Sequence, residues 1–537
     1  MSLRRICTGR AIPACRGRQA RYFCPEPSGP IRHPEPSRPS SPQTQSSSNR
    51  VQSAGRRATN RGVSSFRKTL FVNPPSWQGF DGGAGSRYQA KREVRSFWYP
   101  TWLAQPAALI EGSRLVDAPP DDLTRADVLR IARDYEVVVI HTSAPTLRGD
   151  GELAEALKSQ NPDATVGLVG AHAAVLPDET LAVSEAVDFV GRKEFDFTCR
   201  DVALGKPLAE IDGLSFRREG KVTHNPERAV ITDFDALPSV MDVYARDLTI
   251  ENYAIGYLKH PYVSHYTGRG CPAQCTFCLW PQTVGGHKYR AKSPEAVARE
   301  MAHAQRLFPQ VKEFFFDDDT FTAVQPRARE IARQLGKLGL TWSCNARANV
   351  NYETLKTMRD HGLRLLLVGY ESGNQRILDN IKKGIRLEEA REFTANCKKL
   401  GITIHGTFIL GLPGETRETI RETIEFAKEV DPFSLQVSLA APYPGTELYR
   451  QAQENGWFAG DAQLVDGHGQ QAAALEYDNL SREEIFAALE KFYRAYYFRP
   501  RPIARMLGEM MTDFGVMKRR LREGAEFFRF LRLRSAP

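Results

Sequence analysis

The chain has 537 residues, too many for one ordinary domain, and 41% apolar residues, enough to build real cores. No run of about 18 apolar residues occurs, so no spanning helix is expected, and no apolar export signal opens the chain. The net charge of +9 is uneven: residues 1–68 hold 14 Lys/Arg against 2 Asp/Glu, residues 491–537 hold 12 against 4, and the middle is left at −11. An acidic body argues against a nucleic-acid groove, and two basic ends suit anionic surfaces.

Residues 1–66 are rich in Arg, Ser, Pro and Gln, as in "PEPSRPSSPQTQSSSNR". Such a stretch cannot bury enough apolar surface to fold, so a disordered basic extension is expected, with the composition of a loose transit peptide. Order begins at "KTLFVNPP" (Lys68–Pro75), an apolar strand ending in a turn. Strand patterns follow at 113–120, 135–143, 164–172 and 186–192, with helix patterns near 122–133 and 151–159. Alternating strands and helices over 67–204 predict a doubly wound, flavodoxin-like parallel sheet, whose ligands bind at the strand C-termini. Residues 205–261 read as a Pro-rich linker with a hairpin.

A second alternation runs over 262–479. Strand patterns at 262–268, 313–321, 341–348, 364–373, 402–411 and 434–445 are separated by helix patterns near 294–307, 325–338, 351–361, 374–381, 387–400 and 415–429. Six such units predict a partial (β/α)6 TIM-like barrel with its site at the strand C-termini. Residues 480–537 read as a basic helical region; "KRRLREGAEFFRFLRLRSAP" interleaves Arg with Phe527, Phe530, Leu531 and Leu533 and could rest on an anionic bilayer.

Nine cysteines, an odd number in a chain with no expected export signal, do not read as a disulfide framework. Cys199, Cys344 and Cys397 read as small buried hydrophobes, and Cys7, Cys15 and Cys24 fall in the basic extension. Cys271, Cys275 and Cys278 stand apart, as C-x3-C-x2-C in "GRGCPAQCTFCLWPQ" directly after a predicted strand. Structural zinc wants four protein ligands, usually as two C-x2-C pairs, and no second pair exists. An electron-carrying iron–sulfur cluster wants a fourth cysteine as well, and none is nearby. Three thiols on a loop would leave one iron of a cubane cluster open to substrate or cofactor.

The triplet resembles the signature of the radical S-adenosylmethionine (SAM) enzymes. The resemblance implies a 4Fe-4S cluster on Cys271, Cys275 and Cys278, with SAM chelating the open iron and an electron from a reductant such as flavodoxin or ferredoxin cleaving it to a 5′-deoxyadenosyl radical. Phe277 would pack beside the adenine. At the following strand ends, Asp318 of "FFFDDDTF" would approach the SAM amino group, Arg347 of "NARAN" its carboxylate and Glu371 of "GYESG" the ribose. Gly406 and Gly411 of "HGTFILGLPGET", with Gly414, would let backbone approach the adenine. The acidic triplet also reads as a solvated turn, and Arg347 as a surface residue.

A flavodoxin-like sheet ahead of such a barrel resembles the cobalamin-binding subclass. That implies a crevice at His141, Thr142, Gly170 and His172, although the D-x-H-x-x-G motif is missing; "DGHGQQ" at 466–471 echoes it but reads as a loop beyond the barrel. Either cobalamin binds without a protein ligand to cobalt, or the sheet is a scaffold that has lost it.

"CLWPQTVGGHKYRAKSPE", with the strand-end motifs and "SLAAPYPGTELY", further resembles radical SAM proteins of bacterial hopanoid biosynthesis. The resemblance implies rearrangement of a glucosamine head group on membrane-resident bacteriohopanetetrol into a cyclitol ether, in the cytoplasm or at the inner membrane face. Cobalamin-dependent C-methylation of a lipid or other natural product is the alternative. Tyr266, Trp280, His287, Tyr289 and Tyr443 are candidates to line the pocket.

Overall fold

The computed structural model describes residues 66–75, 89–91, 94–511 and 514–534, with side chains described up to residue 527. The basic extension therefore lies outside the described residues except for Phe66, as do Cys7, Cys15, Cys24 and the side chains of Phe530, Leu531 and Leu533.

Seven strands build the first sheet: β1 (Thr69–Asn73), β2 (Arg114–Asp117), β3 (Val137–His141), β4 (Thr165–Val169), β5 (Phe189–Gly191), β6 (Leu214–Arg218) and β7 (Lys221–His224), in the order β2-β1-β3-β4-β5-β6-β7. The first five are parallel. The hairpin β6–β7, beyond residue 204, adds an antiparallel edge through Phe189↔Phe216.

Both faces of this sheet are covered, so its strands read as continuous apolar runs. The faces still part by alternation. Leu70, Val72, Val138 and Ile140 pack in one cluster with Val128, Leu153 and Leu157 of helices Arg125–Ala132 and Leu147–Gln160. Phe71, Val137 and Val139 point the other way, into a cluster that runs through Trp102 and Trp280 to Phe315. A period of two in one strand thus sends half its side chains to the local helices and half toward the second sheet.

The second sheet is six parallel strands, in the order β15-β14-β13-β12-β11-β8: β8 (Tyr262–His265), β11 (Glu313–Phe316), β12 (Trp342–Ala346), β13 (Leu363–Glu371), β14 (Thr403–Leu410) and β15 (Ser434–Leu439). It is an open partial barrel. Helices Pro294–Leu307, Gln325–Lys337, Tyr352–Asp360, Gln375–Asn380, Leu387–Lys399 and Arg417–Val430 lie between its strands. Side-chain caps such as Ser293 and Asn351 start several of them. Two short strands, β9 (Gly268–Arg269) and β10 (Arg290–Ala291), pair antiparallel and close the stem of the cysteine loop.

The two sheets share hydrogen bonds as well as core. Tyr99 donates to the Tyr262 carbonyl at 2.7 Å, and Tyr262 donates to the Phe97 carbonyl at 2.6 Å. Helices Arg482–Tyr497, Pro500–Met510 and Phe514–Arg534 end the chain. No helix among the described residues is long and apolar enough to cross a membrane.

Candidate active site

The cysteine loop is a closed device. Gly270 has φ +89°, and a Cβ there would come within 2.4 Å of the Lys288 carbonyl, so the loop returns over its own start only with glycine. Gln282, of "LWPQ", donates to the carbonyls of Cys275, Thr276 and Cys278 at 3.2, 3.1 and 2.8 Å, while its own carbonyl accepts from Glu447 N at 2.8 Å. His287 Nδ1 lies 2.9 Å from the Ala273 carbonyl and 3.2 Å from that of Cys271. These groups fix the backbone between the cysteines and leave the thiols turned inward.

All three cysteines line one cavity of about 310 Å³ at the C-terminal ends of the barrel strands. No three His, Cys, Asp or Glu side chains among the described residues converge on a single ion. Thiols spread around a cavity suit a cluster of several irons better than one zinc ion.

Phe277, Arg347 and Glu371 line the same cavity, as expected from the sequence. Arg347 Nη1 is 3.9 Å from Cys275 Sγ, and its Nη2 donates to the carbonyls of Lys383 and Gly384. Glu371 ends β13 at a register shift, with φ +64°. That conformation costs a non-glycine residue about 1–3 kcal/mol, and it aims a buried carboxylate at Lys383 Nζ, 2.6 Å away. Gly369 makes room for the pair: a Cβ there would sit 2.2 Å from Glu371 Oε1.

Asp318 is placed differently from the expectation. Its carboxylate accepts from Thr267 N and Oγ1, both at 2.6 Å, and from Tyr289 OH at 2.8 Å, so it braces β11 against the stem of the cysteine loop. Burial pushes its pKa up, against the pull of Arg327 and these donors. The neighbours on either side of it, Asp317 and Asp319, line the cavity instead. The glycines also sit behind the wall. Gly406 faces Pro432 and Tyr370, Gly411 gives its N–H to Glu415 at 2.6 Å, and Gly414 faces Asn380. Of the pocket candidates, Trp280 and Tyr443 line the cavity; Tyr266 and Tyr289 hydrogen-bond Asp317 and Asp318, and His287 holds loop backbone.

Lys383, Asn345 and Gln471 complete the wall and were missed. Asn345 was within reach: it stands two residues before Arg347, and strand alternation puts both on one face. Lys383 carried no signal, because only the fold brings it back to Glu371. Gln471 comes from the loop after the barrel and bonds both N–H and carbonyl of Leu439, at 2.8 and 2.7 Å.

At the strand ends of the first sheet, His141, Thr142, Gly170 and His172 are gathered and buried. Gly170 has φ +129°, and a Cβ there would meet the Thr142 carbonyl at 2.3 Å and His141 Nε2 at 3.2 Å. Neither ring nitrogen of His141 has a hydrogen-bond partner among the described residues, and burial lowers its pKa to about 3. Asp150, buried close by, is pushed up to about 7, against hydrogen bonds from Thr146 and Thr142. His172 Nε2 is 3.5 Å from Glu179. An orphaned neutral imidazole beside a glycine cradle fits a polar ligand at this edge. The helix Ala171–Val175 that follows Gly170 packs on the turn Pro281–Gly285 of the cysteine loop, so crevice and cavity are neighbours.

Residues 266–427, the stretch that holds the cysteine loop and four of the barrel strands after it, match the model of the Radical SAM superfamily. That stretch forms a radical SAM domain. Such a domain implies a 4Fe-4S cluster and SAM. The radical SAM chain is 29% identical over 459 residues to an uncharacterized methyltransferase of Pyrococcus horikoshii, covering 82% of this chain and 95% of the relative. It is 27% identical to the hopanoid C-3 methylase of Methylococcus capsulatus, over 56% of this chain and 57% of that protein. Its fold is shared with the cobalamin-dependent SAM radical enzyme OxsB, solved with aqua-cobalamin and SAM bound: TM-score 0.64, 15% identity, 87% of this chain and 72% of that one.

Proposed function

We propose that this radical SAM enzyme is a cobalamin-dependent methyltransferase acting on a hopanoid. One observation carries the reading: the crevice at His141 and Gly170 sits beside the cysteine loop, joined through the helix Ala171–Val175. A methyl carrier in that crevice would lie next to the chamber where SAM is handled. The methyltransferase relatives and the shared fold support it.

Cys271, Cys275 and Cys278 are assigned to the cluster, Arg347 and Asp317 or Asp319 to the charged end of SAM, and the Glu371–Lys383 pair and Phe277 to its nucleoside. Thr142, Gly170 and His172 with His141 are assigned to cobalamin. When bound, cobalamin supplies a transferable methyl group, and SAM on the cluster supplies the radical. The chain itself orients these groups and excludes water through the apolar wall of Trp280, Leu439 and Phe408.

The hopanoid substrate class is supported by the methylase relative. Head-group rearrangement to a cyclitol ether has no counterpart in it, so methyl transfer replaces ring contraction as the preferred reaction. Anaerobically reconstituted protein with cobalamin, methyl-labelled SAM, a reductant and bacteriohopanetetrol, with and without a glucosamine head group, tests this. Label in the hopanoid is expected. Unlabelled, rearranged glucosaminyl hopanoid with stoichiometric 5′-deoxyadenosine would return the cyclitol reading.

A further inference from the structure

Among the described residues, eleven large apolar side chains are exposed, and seven of them fall between Phe498 and Leu521. The two helices that carry most of these are turned inside out. In Pro500–Met510, Arg505 faces the body and bonds Asp431 at 3.2 Å and the Pro432 carbonyl at 3.0 Å, and Glu509 pairs with Arg520 at 2.7 Å. Ile503, Met506 and Leu507, at i, i+3 and i+4, face out, and Met511, 86% exposed, extends the ridge. In Phe514–Arg534, Arg520 again faces in, donating to the Gly256 carbonyl at 3.0 Å, while Phe514 and Leu521, seven residues apart, are 76% and 59% exposed. On the last helix, the exposed basic residues Lys518 and Arg522 flank the ridge.

We propose that this helical pair is a docking surface for a bilayer carrying anionic lipid head groups. The apolar ridge would enter the acyl boundary while Lys518 and Arg522 meet lipid phosphates. Charge chooses the occupant. Residues 491–537 carry a net +8 on a body of net −11, so the molecule is polarised with its apolar ridge at the basic end. A second copy would set one +8 end against another, and residues 1–68, at +12, are repelled in the same way. An anionic surface is attracted to the same end. The inward side of the helical pair is tied to the segment that reaches the catalytic cavity: Gly256, held by Arg520, precedes Tyr257, which lines that cavity. The inference stands on the surface alone and holds whichever reaction the enzyme performs.

Co-sedimentation of the full chain with phosphatidylcholine vesicles, with and without phosphatidylglycerol, tests it. Binding is expected only with phosphatidylglycerol and should weaken as salt is raised. The double variant Leu507→Glu/Met511→Glu should bind at least about tenfold more weakly, a loss of about 1.4 kcal/mol or more. Because both residues are exposed, its thermal melt should match the wild type. Lys518→Glu/Arg522→Glu should lose binding while the ridge is intact. No binding, equal binding to neutral vesicles, or binding unchanged in both variants would overturn the proposal. So would a dimer in sedimentation velocity that Leu507→Glu/Met511→Glu dissociates.

Discussion

Arg269 gives Asp196 a two-pronged hydrogen bond, at 2.7 and 2.9 Å, with both side chains buried. Its partner across the β9–β10 stem, Arg290, does the same to Glu194 at 2.8 and 2.9 Å. Two guanidinium groups facing each other at the base of one loop would repel. Two carboxylates from the segment after β5 neutralise them, so the first sheet grips both stems of the loop that carries the cysteines. Arg269 also lies 4.4 Å over the Trp102 ring, which stacks on Trp280 at 5.0 Å. Burial opposes its charge, but Asp196 and Glu194 outweigh burial and raise its pKa.

Removing one partner of such a pair strands the other charge. Asp196→Asn should lower stability in urea by about 3–5 kcal/mol. It should also change the line shape of the reduced cluster in electron paramagnetic resonance, which a defect remote from the loop would not do. Arg269→Lys, which keeps the charge but loses the fork, should do less of both.

Substitution of Cys271, Cys275 or Cys278 by alanine should each abolish cluster absorption after anaerobic reconstitution. The loss of 5′-deoxyadenosine formation should exceed the 10–100-fold typical of outer-sphere changes. Cys344→Ala, at a thiol whose pKa burial raises, should retain the cluster.

The Glu371–Lys383 pair should govern SAM affinity. Lys383→Met leaves a buried carboxylate alone and should weaken SAM binding at least about tenfold, or about 1.4 kcal/mol, in isothermal titration. Gly369→Ala puts a methyl group 2.2 Å from Glu371 Oε1 and should raise the KM for SAM through displacement of the same pair.

Two buried acids should make the stability of the apoprotein pH-dependent. Burial raises Asp150 to about 7 and Glu415 to about 8, the latter against hydrogen bonds from Gly411 and Leu412. Between an unfolded value near 4 and these folded values, the native state holds protons that the unfolded chain has released. Stability is therefore full at the acid side of that window and falls as pH rises, by about 1.4 kcal/mol per pH unit per group, levelling off above pH 8. Urea midpoints from pH 5 to 9 check this; Asp150→Asn and Glu415→Gln should each flatten the slope.

The sequence by itself determined the two alternations and the cysteine triplet. Both depend on near neighbours: a period of two, a helix stripe, a spacing of three and two residues. Arg347 and Glu371 were legible for the same reason, since a strand end has one place to point, and Phe277 was legible from its place inside the cysteine triplet. Asp318 was not. Three consecutive aspartates alternate in direction, and only the contact with Thr267 and Tyr289 decides which carboxylate is used up as a brace. Lys383, Gln471, Glu194 and Asp196 reach the site from other elements, and no local pattern marks a side chain whose partner lies across the fold. The same holds for the C-terminal helices. Their apolar and basic residues were visible in the sequence, but which of them face outward was decided by Asp431 and Gly256, which hold Arg505 and Arg520 against the body, and by Glu509, which ties Arg520 to the neighbouring helix.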